Sequence, residues 1–93
     1  MAMQKLKEAE IDELCRQHPA WEYVGGELVR TFAFGDFVTA MVFVNRVALL
    51  AEQAGHHPDI DIRYNKVRLG LVTHDAGGIS ARDAAFISTV ARW

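Results

Sequence analysis

Residues 59–72, Asp-Ile-Asp-Ile-Arg-Tyr-Asn-Lys-Val-Arg-Leu-Gly-Leu-Val, decide the fold of this chain. Apolar and polar residues alternate up to Tyr64 and again from Val67, which is the period-2 pattern of two half-buried strands. Asn65-Lys66 interrupts the alternation and predicts a hairpin turn. Lysine is a poor second turn residue, because a type I′ turn needs a positive φ there, so a longer or bulged turn stays open.

A two-residue turn at this place predicts three opposed pairs, Tyr64 with Val67, Ile60 with Leu71, and His57 with His74. Opposed residues of an antiparallel pair have Cβ atoms roughly 5 Å apart. The two histidines would then meet at the open end of the hairpin, on its polar face, with Glu52 arriving from the preceding helix. A slip of one residue would turn charged side chains into the core, so burial favours this register.

The segments before the hairpin predict a helix, two strands and a second helix. Apolar residues recur at helical spacing over 7–17, and Pro19 ends that helix. Strands over 21–24 and 27–34 are joined at Gly25-Gly26, a strong hairpin signal. A long helix follows over 36–54.

Capping residues mark the ends of the two later helices. Asp36 is a suitable N-cap for the long helix, and Gly55 suits the position just after its end. Ser80 with Asp83 three residues later resembles a capping box that opens the last helix. The resulting order, α-β-β-α-β-β-α over residues 1–93, predicts a single α+β domain. It is a two-layer sandwich in which three helices cover one face of a four-stranded antiparallel sheet.

Composition excludes several classes of protein. The chain has 93 residues, of which 51% are hydrophobic and 24% charged, and its net charge is −2. These values predict no nucleic-acid surface, because the positive charges are few and scattered. No apolar run reaches the roughly 20 residues of a membrane span, and no signal peptide is visible. Cys15 has no partner for an internal disulfide. We expect a cytoplasmic protein with no nucleic-acid or membrane partner.

The helix over 36–54 is apolar around most of its circumference. Such a helix is buried on more than one side. One side packs on the sheet, and the simplest cover for the other side is the same helix of another subunit. We therefore predict a homodimer or homotetramer that assembles through this helix.

Three histidines and several carboxylates gather around the hairpin and leave three interpretations open. Glu52, His56, His57 and His74 are acceptable zinc ligands, although adjacent histidines on an extended segment usually point apart and no HExxH motif is present. The histidines are otherwise structural polar residues, or they catalyse proton transfer, since imidazole both donates and accepts a proton near neutral pH.

The motifs resemble those of the pterin-4a-carbinolamine dehydratases. The resemblance covers essentially the whole chain and includes Trp21, Glu-x-x-x-His-His-Pro, Tyr-Asn-Lys-Val, and Thr-His-x-x-Gly-Gly-Ile-Ser-x-x-Asp. In this chain the last three motifs are Glu52 to Pro58, Tyr64 to Val67, and Thr73 to Asp83.

The resemblance implies dehydration of 4a-hydroxytetrahydrobiopterin to quinonoid dihydropterin and water, in support of tetrahydropterin recycling. It implies no metal and no redox cofactor. The catalytic residues it implies are His56, His57, His74 and Glu52, and the substrate-binding residues are His57, Trp21, Asp83 and Thr73. His56 and His74 are assigned as acid and base, and His57 mainly orients the pterin. The alternative is a non-catalytic binding or assembly module that keeps the fold.

Overall fold

A computed structural model describes residues 4–92 of the chain and gives seven main elements. Their order is α-β-β-α-β-β-α, as predicted. They are α1 (Glu8–Gln17), β1 (Glu22–Val24), β2 (Glu27–Ala33), α2 (Phe37–Ala54), β3 (Asp59–Arg63), β4 (Lys66–Leu71) and α3 (Ala81–Val90). A 3₁₀ turn at His74–Ala76 lies between β4 and α3. Residues 1–3 and 93 of the predicted domain lie outside the described part.

The four strands form one antiparallel sheet in the order β1-β2-β4-β3. One face of the sheet is apolar, and Leu28, Leu69 and Leu71 on this face are completely buried beneath the helices. Removing each of these side chains from water stabilises the fold by about 1.5–3 kcal/mol. The opposite face carries the charged residues of these strands other than Arg30. The predicted two-layer α+β sandwich is confirmed.

The predicted turn of the β3–β4 hairpin is wrong, because the turn lies one residue earlier in the chain. The two turn residues are Tyr64 and Asn65, and Arg63 pairs with Lys66. Asn65 fixes the turn because its backbone and side chain both bond to Phe34 of the neighbouring β2 segment. Tyr64 accordingly takes a left-handed φ of 53°.

Moving the turn by one residue on both strands keeps the alternation of faces, so Val67, Leu69 and Leu71 of β4 still face the core. Ile60 and Ile62 stay on this face of the edge strand but are 37% and 39% exposed, and Tyr64 lies in the turn and is 67% exposed.

The caps predicted from sequence are all present. The Asp36 side chain accepts a hydrogen bond of 2.7 Å from the backbone N–H of Thr39 and so satisfies one free donor of α2. Hydrogen bonding from the Thr39 side chain, followed by this backbone bond, lowers the pKa of Asp36. Ser80 and Asp83 form the capping box of α3. Gly55 ends α2 with a φ of 62°, a left-handed conformation that glycine adopts without steric cost.

Helix α2 packs on the sheet with only one of its sides. Its buried residues are Ala40, Phe43, Val44, Val47 and Ala51. By length and composition alone, with a mean hydropathy of 1.3 over 18 residues, α2 is also apolar enough to cross a membrane. Core helices of soluble proteins share this property, and here the buried side of α2 packs into the core of the sandwich.

Candidate functional site

The end of α2 places His56 inside the protein. The backbone N–H of His56 bonds to the carbonyl of Ala51, and that of Gly55 bonds to the carbonyl of Glu52. These two bonds form a Schellman motif, which folds the chain back over the helix end. As a result His56 is 8% exposed, and its ring packs edge-on against Phe86 of α3 at 6.4 Å.

Asp83 holds His56 from the first turn of α3. The carboxylate is completely buried, and its Oδ1 lies 2.6 Å from Nε2 of His56. Its Oδ2 accepts hydrogen bonds from the Thr73 hydroxyl at 2.8 Å and from the backbone N–H of Ser80 at 2.9 Å. Asp83 therefore caps α3 with one oxygen and orients His56 with the other.

The network fixes where the protons lie. An ionised carboxylate can only accept hydrogen bonds, so Nε2 of His56 carries a proton and Nδ1 is left for other chemistry. Because the Thr73 hydroxyl donates to Asp83, the Ser80 hydroxyl, 2.6 Å away, must donate to Thr73. Among the described side chains, no buried polar atom lacks a partner. The arrangement holds one imidazole in one tautomer and one orientation.

His57 and Glu52 form a second imidazole–carboxylate pair in a different environment. Nε2 of His57 lies 2.5 Å from Oε2 of Glu52. The two side chains are 62% and 75% exposed, whereas those of His56 and Asp83 are 9% and 0% exposed. The two adjacent histidines therefore lie in different environments. His56 is buried and bonded to Asp83, whereas His57 is open to solvent.

His74 begins the 3₁₀ turn directly after the buried Thr73. A pair of backbone bonds between Thr73 and Gly78 closes this loop, and Gly77 takes the left-handed φ of 75° that the closure needs. The His74 side chain is exposed. The predicted opposition of His57 and His74 is wrong, because the shifted turn ends the β3–β4 pairing at Asp59 and Gly70.

The structure places two other predicted site residues in the interior. Trp21 is 3% exposed, belongs to the core and packs edge-on against Phe32 at 6.2 Å. Thr73 is 4% exposed, and its hydroxyl is bonded to Asp83 and Ser80. Contact of these two side chains with a substrate stays a prediction.

A small cavity opens beside His56. Its volume is about 130 Å³. It is lined by His56, Arg82, Phe86, Leu50, Ala54, Ala85 and Thr89. Ligand pockets usually enclose about 300–1,000 Å³, so this cavity admits one part of a small molecule. Over residues 4–92 no three His, Cys, Asp or Glu side chains converge as a metal-binding group.

A carboxyl pair that the sequence did not predict lies on the helix-free face of the sheet. Glu27 of β2 and Asp59 of β3 flank Gly70 of β4, and a side chain at Gly70 would stand 3.1 Å from Oε1 of Glu27. Hydrogen bonding to Asp59, followed by burial and the charge of Asp59, raises the pKa of Glu27. The positive charges of Arg68 and His74 partly offset this rise. The sequence signal for this pair is Gly70, because a glycine inside an apolar strand often marks a place where another group approaches the backbone closely.

The raised pKa of Glu27 predicts a pH-dependent stability. A carboxyl group with a raised folded-state pKa stabilises the protein at low pH, and that contribution is lost as the pH rises through the folded-state value. Glu27→Gln is therefore expected to be more stable than wild type at pH 7, by about 0.5 kcal/mol or less. The difference should shrink as the pH falls and vanish below about pH 3, where Glu27 is protonated in both states.

Urea unfolding at several pH values measures this difference. Glu22→Gln on the neighbouring strand β1 is the matched control, because Glu22 is exposed. A Glu27→Gln protein that is less stable than wild type at pH 7 would contradict the expectation.

The remaining histidine and the single cysteine lie apart from these pairs. His18 forms the C-cap of α1. Cys15 lies in α1, and partial burial, with the charge of Asp12, raises the pKa of its thiol. A raised thiol pKa disfavours the thiolate, so Cys15 is poorly suited to act as a nucleophile.

The fold and the site together define a class of protein. It is a two-layer α+β domain that carries two imidazole–carboxylate pairs at the end of its long helix. The family model described as Pterin 4 alpha carbinolamine dehydratase matches residues 4–92. The chain belongs to this family, which confirms the resemblance drawn from its motifs.

Curated relatives and solved structures agree with this assignment. Proteins provisionally named pterin-4-alpha-carbinolamine dehydratase are similar to the chain. One from Chloroflexus aurantiacus is 54% identical over 88 residues, covering 95% of both proteins. One from Acidobacterium capsulatum is 58% identical over 81 residues, covering 87% of this chain and 88% of the relative.

Two solved structures are also similar. The transcriptional coactivator/pterin dehydratase from Brucella melitensis has a TM-score of 0.90 and 33% identity, covering 96% of this chain and 97% of its own. A pterin dehydratase-like protein identified as a RuBisCO assembly factor in the alpha-carboxysome has a TM-score of 0.59 and 29% identity. It covers 69% of this chain and 74% of its own.

Proposed function

We propose that this protein dehydrates 4a-hydroxytetrahydropterins to quinonoid dihydropterins and water, with histidines as acid and base. The observation that carries the proposal is the presence of two imidazole–carboxylate pairs in unlike environments, formed by residues of two family motifs. Such a difference allows one group to donate a proton while another accepts one.

The reaction needs two proton transfers. The hydroxyl on C4a leaves as water only after it is protonated, and N5 must give up its proton. His56 is suited to one of these steps, because Asp83 holds its Nε2 proton and leaves Nδ1 to exchange a proton with the substrate. His74 is exposed on the loop that follows Thr73. In this proposal it carries out the other proton transfer.

His57 and Glu52 are suited to binding the pterin. Both side chains are open to solvent, and the carboxylate fixes the orientation of the ring. A substrate held between this exposed pair and the buried pair would meet acid–base groups without moving far. Asp83 and Thr73 then act mainly as positioning residues for His56. Metal independence, a cytoplasmic location and the part played in tetrahydropterin recycling stay predictions.

A non-catalytic module is the second candidate. It is supported by the similarity to the pterin dehydratase-like protein described as a RuBisCO assembly factor. The intact set of Glu52, His56, His57 and His74 favours the enzyme.

A direct assay separates the two candidates. Purified protein is added to freshly generated 4a-hydroxytetrahydropterin near neutral pH, and formation of the quinonoid product is followed by its absorbance. We expect dehydration to be faster than the spontaneous reaction, with the same rate before and after exhaustive chelation. No acceleration would refute the enzyme, and activity lost together with a stoichiometric metal would refute metal independence.

We also infer that the protein is a homodimer or homotetramer that assembles through α2. The support is the exposure of large apolar residues on the side of α2 that faces away from the sheet, among them Val38 and Leu49. Ile60 and Ile62 of the edge strand β3 are also partly exposed.

A further inference from the structure

A cleft at the last turn of α3 has a lining that shares no residue with the cavity beside His56. It lies between β2, α2 and the last turn of α3 and has a volume of about 360 Å³. Its lining residues are Arg30, Phe32, Phe34, Thr39, Val42, Phe43, Arg46, Val90 and Ala91. They include none of the histidines or carboxylates of the candidate active site. This volume lies within the range of small-molecule sites.

Aromatic rings form one wall of the cleft. The ring of Phe43 lies 4.5 Å from that of Phe32 and 5.1 Å from that of Phe34, measured between centroids. Both contacts are tilted, with interplanar angles near 40°. Phe43 is buried, whereas Phe32 and Phe34 are half-buried, so these two rings form the part of the wall that a flat apolar ligand can contact.

Arg30 occupies an unusual place in the sheet. It pairs with Leu69, so it lies on the apolar face, in line with Leu28 and Phe32. Its guanidinium carbon lies 4.2 Å from the centroid of the Phe32 ring. A cation on this face is costly unless it is compensated, and stacking on a ring compensates only part of its charge.

Neither guanidinium of the cleft is neutralised by the protein. Within residues 4–92, no carboxylate lies within 4.0 Å of Arg30 or Arg46. Two arginines from different elements, β2 and α2, thus line one aromatic cleft without a counter-charge. Guanidinium groups bind carboxylates and phosphates through paired hydrogen bonds, so the charge of the cleft is complementary to an anion.

We propose that this cleft binds a flat aromatic ligand that carries a carboxylate or phosphate group. The ring system lies against the phenylalanines, and the anionic group is bound by Arg30 and Arg46. The site is independent of the dehydratase reaction, so failure of one proposal leaves the other intact.

Binding of naphthalene-2-carboxylate to the full-length protein tests the proposal. Its neutral isostere, naphthalene-2-carboxamide, is the companion probe. Isothermal titration is expected to give saturable binding of the carboxylate with a Kd below about 1 mM. We expect binding of the carboxamide to be about tenfold weaker, because it lacks the charge-assisted hydrogen bonds. Higher salt should weaken binding of the carboxylate but not binding of the carboxamide.

Substitutions locate the site. Arg30→Met and Arg46→Met keep much of the apolar stem and remove the charge, and each is expected to weaken carboxylate binding about tenfold. Arg16→Met is the matched control, because Arg16 is an exposed arginine on α1. We expect the ligand to shift amide resonances of β2 and α2, and to shift them equally in the His56→Gln protein. That result would support a site separate from the histidines.

Three outcomes with the wild-type protein or its arginine variants would overturn the proposal. They are equal affinity for the carboxylate and the carboxamide, unchanged affinity in both arginine variants, and no saturable binding. If the ligand binds only to a variant whose subunits have been separated, the cleft belongs to the interface between copies, and the proposal is likewise refuted. Far-UV circular dichroism verifies that each variant is folded.

Discussion

Replacing His56 with glutamine is expected to lower kcat for pterin dehydration by about 10²- to 10⁴-fold, the range that a positioned acid–base group contributes. Glutamine retains a polar side chain but cannot take up or release a proton at neutral pH. Because His56 is buried against Phe86 and bonded to Asp83, the loss falls on proton transfer rather than on surface charge. KM should change much less than kcat.

Asp83 completes the same test. Asp83→Asn is expected to lower kcat about 10- to 100-fold, as for other groups that orient a functional histidine. An amide can donate to the imidazole, so it no longer requires the Nε2 proton. Asparagine is preferred to alanine, because alanine would leave the Thr73 hydroxyl and the Ser80 N–H without an acceptor. Each unsatisfied buried group costs about 1–3 kcal/mol.

The double variant gives the decisive comparison. If Asp83 acts through His56, then adding Asp83→Asn to His56→Gln should lower kcat little further, since the two residues act as one unit. His18→Gln is the matched control, because His18 caps α1 away from both pairs. Independent, multiplying effects of the two substitutions would contradict a positioning role for Asp83. Thermal unfolding of each variant separates lost activity from lost structure.

Local signals in the sequence predicted the elements well. Asp36, Gly55 and Ser80 act through neighbours within five residues, so their roles follow from spacing alone. Alternation predicted which side chains of β4 face the core, because a period of two survives a shift of the turn. The choice between His56 and His57 for burial also has a local cause, the Schellman motif that ends α2.

Distant contacts account for what the sequence did not predict. The turn at Tyr64-Asn65 depends on Phe34, a partner 31 residues away. The bond between His56 and Asp83 spans 27 residues, so the sequence favoured capping or substrate contact for Asp83 without showing that one carboxylate serves both α3 and His56. Glu27 and Asp59 meet across a third strand. None of these contacts leaves a periodic pattern.

Replacing Leu49 with glutamate is expected to dissociate the assembly by at least one step. Leu49 is 62% exposed on α2, and Val38, on the same outer side of the helix, is 72% exposed. An apolar patch larger than a few hundred Å² is unusual on a monomer. Burial of each such side chain at an interface stabilises it by about 1.5–3 kcal/mol, enough for a few per subunit to offset the entropic costs of association.

A glutamate on this outer side of α2 replaces that gain with the cost of desolvating a charge. Symmetry repeats the change in every subunit, so one substitution should weaken association by at least about 100-fold. Val38→Glu should act in the same direction. Gln17→Glu introduces the same charge at a polar, exposed position of α1, outside this helix, and should leave the assembly intact.

Light scattering coupled to size-exclusion chromatography measures the mass of each variant at micromolar concentration. We expect a wild-type mass of two or four chains, a smaller mass for Leu49→Glu and Val38→Glu, and the wild-type mass for Gln17→Glu. A wild-type monomer would refute assembly through α2. Dissociation by Gln17→Glu as well would show that net charge, and not the apolar side of α2, controls association.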